Sequence, residues 1–436
     1  MLRRLGWVLC AWGWANGALA DGAVAQIYAH KHMGMTTCSG AGCHDEAASP
    51  QGSLILNNEM EAWRSRDPHA GAFEILRQPE SLRIARNLGI GDPTSASMCL
   101  DCHADNVPAA QRGDAFDITA GIGCEACHGG SETWRDTHFK DGANRQADLD
   151  QGLYNTADPQ ARAELCLSCH MGNKDRMITH EIMGAGHPRL SFELDSFTNF
   201  EPHWVIDDEY QQRKGISKDG LRDWAVGQGV AARTLVEQFA QSEQKRTGLF
   251  PELVFFDCHA CHKTMEPQRW NRRESAGLDP GVIRLNDSNL LIFRYVIEVV
   301  APSQATEFRS AIRQLHASTR QSQQASVSQA NRIVGLLDNA IPAAAAYTGF
   351  RDDFARKVAA AMVRDAERGD FSDYATAQQA YQALDSFVAA DTTPEDIQNQ
   401  TPHRLQGRLD RVRATLDKEE AFNPAAFREA LRGFAS

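Results

Sequence analysis

Cys99-Leu100-Asp101-Cys102-His103, Cys124-Glu125-Ala126-Cys127-His128, Cys166-Leu167-Ser168-Cys169-His170 and Cys258-His259-Ala260-Cys261-His262 repeat one pattern four times. Each is Cys-x-x-Cys-His, the attachment motif of c-type haem. The spacing serves the chemistry. Two thiols one short turn apart form thioethers with the two vinyl edges of one porphyrin, and the adjoining imidazole is placed under the iron as its proximal ligand.

A fifth pair is stretched: Cys38-Ser39-Gly40-Ala41-Gly42-Cys43-His44. Gly40, Ala41 and Gly42 are small and permissive, so the extra residues can loop out while the thiols keep their separation. Two plainer readings compete. Disulfides suit an exported chain with an even cysteine count, but they give no reason for a histidine after every second cysteine. Zinc sites also use Cys-x-x-Cys pairs, yet five pairs cannot be shared two by two. The pattern therefore predicts five haems c, held by Cys38, Cys43, Cys99, Cys102, Cys124, Cys127, Cys166, Cys169, Cys258 and Cys261. His44, His103, His128, His170 and His262 are the proximal ligands.

Working outward, residues 1–20 read MLRRLGWVLCAWGWANGALA: two arginines, a short apolar run and a terminal Ala-Leu-Ala. This is a secretory leader, with cleavage expected after Ala20. The apolar run is shorter than the roughly 20 residues of a membrane-spanning helix, which argues against an anchor. Cys10 lies within the leader and lacks a lipoprotein box. The run Leu290–Ala301 is broken by Arg294 and Glu298. The expected location is the periplasm, with the cell exterior as the alternative. The chain has 436 residues and a net charge of -12, and losing Arg3 and Arg4 makes it more acidic still. Such a balance argues against nucleic-acid binding, which needs clustered cations.

Of the 15 histidines, ten remain for second axial positions. His30, His32, His69, His138, His180, His187, His203 and His259 lie among the motifs, and only His316 and His403 lie beyond them. His69 (in Trp63–Ala70), His138, His180 and His187 are the leading distal candidates. The last two flank Met183-Gly184-Ala185-Gly186, where glycines let backbone approach a flat ring. His32 and His203 rank below them, and His259 sits inside its own attachment turn. Met171, Met177 and Met183 could supply thioether ligands but more often serve packing.

The stretch from Cys38 to about Trp270 resembles the cytochrome c-554 family of multihaem electron carriers. The likeness rests on Trp63 to Ala70, on Gly121-Ile122-Gly123 leading into the Cys124 motif and on to His138, and on the Cys166 motif. The resemblance implies that His69 and His138 are distal ligands of haems other than those nearest in sequence. Larger exported relatives share Ala185-Gly186-His187-Pro188-Arg189-Leu190-Ser191-Phe192-Glu193-Leu194, the fifth motif and the helical tail. The family type has four haems, one of them five-coordinate, and this chain departs from it by a stretched first motif and a fifth one.

The expected fold is mainly α. A leader (1–20) precedes a pentahaem domain of short helices and long loops (21–278) and a helical C-terminal domain (279–436). Within the haem region, residues 223–241 read as a helix. Beyond 280 the periodicity predicts amphipathic helices over 286–300, 305–319, 326–339, 351–368 and 374–390, forming an antiparallel bundle. The bundle covers one face of the haem stack or serves docking. The function these features imply is electron transfer between redox partner proteins, whose basic patches would complement the acidic surface. The alternative is an oxidoreductase acting on a small nitrogen or sulfur species, such as nitric oxide, hydroxylamine or nitrite, at one open iron.

Overall fold

A computed structural model describes residues 23–40, 42–46, 57–140, 142–173, 175–200, 219–248, 251–262, 273, 276–279, 282–392, 399 and 403–434. The leader and His203 lie outside them. Among the described residues the fold is mainly helical, with isolated β-bridges such as His32 to Arg112 and no strand.

Three attachment motifs form or end helices: Ser97–His103, Cys124–His128 and Pro159–His170. Positions i, i+3 and i+4 share one face of a helix, so the two cysteines and the histidine of each motif point the same way. The fifth motif makes the tighter turn Cys258–Ala260. The stretched first motif is not helical, because four intervening residues overrun one helical turn; it closes through Cys43 N–H to the Gly40 carbonyl at 2.9 Å. Pro159–His170 starts cleanly, with proline in its first turn and the Asp158 carboxylate accepting from Ala161 N–H at 2.8 Å.

The second half is built on longer helices: Ser288–Val300, Ala305–Ser318, Gln323–Ala346, Ala355–Ala366 and Tyr374–Asp391. The third runs past the expected end at 339 and through Pro342, because Ala340, Ile341 and Ala344 beyond it are buried. The fourth begins later than expected, after a π-helical turn at Phe350–Phe354. Two further short helices, Gln406–Ala414 and Pro424–Arg432, add Leu409, Val412, Phe427 and Leu431 to the core.

One apolar core runs across residue 278, from Ala163 and Leu167 on the Pro159–His170 helix to Leu431. The Gly220–Lys245 helix joins the two halves through it, with Trp224 fully buried. Its glycines are a packing device. A Cβ at Gly229 would stand 2.7 Å from the Phe293 ring and 2.8 Å from Ile341. Alanine there gains helix propensity but overpacks the core. Gly229→Ala is expected to cost about 1–3 kcal/mol, read by denaturant unfolding; a stabilised variant would contradict this packing.

Candidate functional site

The structure brings eight histidines together in four pairs. His44 faces His138, with ring centres 6.1 Å apart and planes 10° from parallel. His69 faces His170 at 6.0 Å, His103 faces His187 at 6.5 Å and His180 faces His262 at 6.1 Å. Each pair joins one motif histidine to one histidine from outside the motifs. His138 faces His44, not His128 ten residues before it.

These separations have a chemical meaning. A first-row metal–imidazole bond is about 2 Å, so two in line, plus roughly an ångström from each nitrogen to its ring centre, put the centres on the order of 6 Å apart. A single iron with two axial imidazoles fits that gap, and a direct ring–ring contact is not needed to explain it. The cysteines fit the same group. None of the ten described ones is in a disulfide. Among the described residues no three His, Cys, Asp or Glu side chains converge as a bare metal ion would require.

Hydrogen bonding orients five of the eight rings. His103 Nδ1–H donates to the Ala72 carbonyl (3.1 Å), His138 Nδ1–H to Arg135 (2.7 Å) and His187 Nδ1–H to Pro188 (2.8 Å). A carbonyl only accepts, so the proton is on Nδ1 and the neutral ring keeps its lone pair on Nε2, the atom an iron would bind. The carboxylates of Glu59 and Asp67 do the same for His44 (3.1 Å) and His69 (3.0 Å).

His32 departs from its expected role. It is fully buried, with Nδ1 on the Asp105 carboxylate at 2.6 Å and Nε2 on the Ile27 carbonyl at 3.1 Å. Both partners are acceptors, so both nitrogens carry protons and neither has a lone pair for iron. Burial works to lower its pKa, and Asp105 outweighs it, so the net direction is up. His259 lies near Glu419 and Tyr374, and His316 is buried against Ile312 and Asp287.

Burial favours the neutral form at His170 and His103. Desolvation, then the neighbouring His69, pushes His170 down to about 4. Desolvation likewise lowers His103, with the Ala72 bond opposing. At His44 the Glu59 hydrogen bond outweighs burial and raises the pKa. Phe192 stacks on His170 with centres 4.8 Å apart, and Trp134 meets His138 edge-on at 5.5 Å.

The attachment turns also touch one another. Cys169 Sγ of the fourth turn lies 3.7 Å from the Asp101 carbonyl of the second, and Glu125 of the third turn accepts from the N–H groups of Met33 and Gly34 just before the first. The fifth turn is tied to the helical half: Asp257 accepts from His259 N–H at 3.0 Å and from Arg284 at 2.9 Å, and Arg284 reaches Ser372. One short segment links the sites, because His180, His187 and Phe192 serve three of the four pairs. Glu59 and Phe192, which steady His44 and His170, carry no signal in the sequence because they come from other turns, whereas Asp67 lies only two residues before His69.

Beside this segment lies Glu193, buried and accepting from the N–H groups of Asp195 and Ser196, both at 2.8 Å. Burial, then Asp195, pushes its carboxyl up to about 7 from an ordinary 4.5. The folded state therefore holds this proton more tightly than the unfolded one. Its contribution to stability is present below the ordinary value and lost as pH rises through about 7. Asp223, raised to about 6 chiefly by burial, acts in the same sense. Glu193→Gln is expected to lose on the order of 2 kcal/mol less stability than the parent between pH 5 and 8; equal slopes in urea unfolding would contradict this.

Paired imidazoles at iron-spanning distance beside adjoining cysteine pairs define a c-type cytochrome. Residues 37–129 match the family model described as cytochrome c554 and c-prime. Over that stretch, which takes in the Cys38, Cys99 and Cys124 motifs, the chain is c554-like, and the family is one of covalently bound haem c and electron transfer. No curated protein and no solved structure gives a significant match.

Proposed function

We propose that the chain is an exported pentahaem cytochrome that carries electrons between redox partner proteins. The observation that carries the reading is the set of four histidine pairs at 6.0–6.5 Å. Five haems c would be attached through Cys38/Cys43, Cys99/Cys102, Cys124/Cys127, Cys166/Cys169 and Cys258/Cys261. The proximal ligands are His44, His103, His128, His170 and His262, opposed by His138 at the first, His187 at the second, His69 at the fourth and His180 at the fifth. Bound haem supplies a one-electron change at iron; the protein's work is to hold and space it.

Two imidazoles fixed by packing and by Nδ1 hydrogen bonds keep the same ligand set in both oxidation states. Histidine in both positions leaves the potential low, since methionine ligation raises it. The contact of Asp101 with Cys169, and the hold of Glu125 on Met33 and Gly34, set the second turn beside the fourth and the first beside the third. The His180–His187 segment ties the fifth site to the second.

The leader at 1–20 supports periplasmic export, and no described helix is long and apolar enough to cross a membrane. The acidic surface suits basic patches on partners, and the helical half covers the fifth site through Asp257 and Arg284. The competing enzyme reading needs an open iron, and the four described pairs fill the positions opposite His44, His103, His170 and His262. A pyridine haemochrome assay of the purified protein, with intact mass, is expected to give five haems per chain. Four would remove the stretched first motif from the set, and none would overturn the reading.

A further inference from the structure

A fixed cation stands between two of the attachment turns. Gly172, two residues past the Pro159–His170 helix, has φ 84°, and a Cβ there would meet the Arg176 carbonyl oxygen at 2.1 Å. Asn173 then closes the loop, its side-chain oxygen accepting from the N–H groups of Asp175 (2.9 Å) and Arg176 (3.0 Å). The loop turns Arg176 back toward the turn it has just left. Its guanidinium donates to the Asp101 carbonyl at 2.7 Å, inside the second turn, and lies 3.6 Å from Cys169 Sγ in the fourth. Its other nitrogen donates to the Tyr28 hydroxyl at 2.8 Å, with that ring 5.8 Å away.

Three of these four partners are neutral oxygen or sulfur acceptors and the fourth is a ring face. Among the described residues no carboxylate pairs with Arg176. The Asp101 carboxylate, which accepts from Asn106 at 2.7 Å, acts on it only from a distance. A guanidinium stays charged at every working pH, and in a half-buried site its field is weakly screened. A haem held by either turn would take up one electron on reduction, and a fixed positive charge nearby would favour that form.

We propose that Arg176 is a positioning and tuning residue: it binds the second and fourth attachment turns to each other and raises the reduction potentials of the two haems they hold. This rests on the haem assignment above. The haems at the second and fourth turns would then lie at higher potential than they would without this charge.

The test is a spectroelectrochemical titration of the holoprotein carrying Arg176→Gln or Arg176→Lys. The loop's backbone bonds belong to Asn173, so neither substitution removes them. The glutamine variant should lower two of the five midpoints by at least about tenfold in the reduced-to-oxidised ratio, 59 mV for one electron. Lysine, which keeps the charge and loses the planar fork, should leave them near the parent values. Five unchanged midpoints in the glutamine variant would overturn the proposal, as would an equal fall in the lysine variant, which would assign the effect to geometry. Haem content is read first: fewer than five haems in the parent protein would strike the haem assignment, a failure distinct from unchanged potentials with all five in place.

Discussion

Replacing His187 by alanine is expected to open one iron, so that the reduced protein binds one more carbon monoxide per chain than its parent. His187 faces His103 with ring centres 6.5 Å apart, and its Nδ1–H is committed to the Pro188 carbonyl at 2.8 Å. The lone pair on Nε2 is thus aimed at the gap between the rings. Alanine removes that ligand without touching the Cys99–Cys102 attachment or the proximal bond. His32→Ala is the informative control. That ring has no lone pair to give, so its loss should add no carbon monoxide binding. It should instead cost about 2–3 kcal/mol, because Asp105 is left buried without its partner. An unchanged carbon monoxide stoichiometry in His187→Ala, or an increase in His32→Ala, would reverse the assignment of the two residues.

The second large effect falls on Glu125, one of the two variable positions in the third attachment turn. Its carboxylate is 3% exposed. It accepts from the N–H groups of Met33 at 2.8 Å, Gly34 at 2.7 Å and Ser131 at 2.8 Å. Gly34 is needed there: its φ is 99°, and a Cβ would stand 2.1 Å from the Ala115 carbonyl oxygen. One side chain therefore clamps the chain just before the first motif and just after the third. Hydrogen bonds to a charged acceptor count for more than neutral ones, and deleting the acceptor strands buried donors. Glu125→Ala is expected to cost about 4 kcal/mol, near the top of the range for single substitutions. Glutamine should recover only part of this, since its amide turns a donor toward one of the N–H groups. A urea midpoint shifted by less than the equivalent of about 1 kcal/mol would show that the clamp is dispensable.

The contrast between His187 and His32 shows what was legible in the chain and why. The attachment motifs are local chemistry: cysteine at i and i+3 with histidine at i+4 reads directly as one face of one turn, and three of the five fold as helices. The stretched first motif, which breaks that spacing, still delivers His44 opposite His138. The identity of each pair was not legible, because His69 and His170 are 101 positions apart and only tertiary packing joins them. His32 looked like a ligand because it precedes a motif; the residue that disqualifies it, Asp105, lies 73 positions away. The helices were visible from their periodicity where long apolar faces repeat, as in Ser288–Val300. They were missed where the element is short, as in Pro424–Arg432. The core that crosses residue 278 was hidden for a different reason. Gly227 and Gly229 weaken the helical pattern of 220–245 in the sequence, yet those two positions admit Leu194 and Phe293.

The central claim is that paired histidines close at least four of five irons. The most direct measurement is a carbon monoxide titration of the dithionite-reduced protein, with bound ligand referenced to total haem. The account predicts at most one carbon monoxide per five haems, and none at the irons of His44, His103, His170 and His262. Two or more would mean that the 6.0–6.5 Å pairs do not hold iron between them, and the reading as an electron carrier would fall with them.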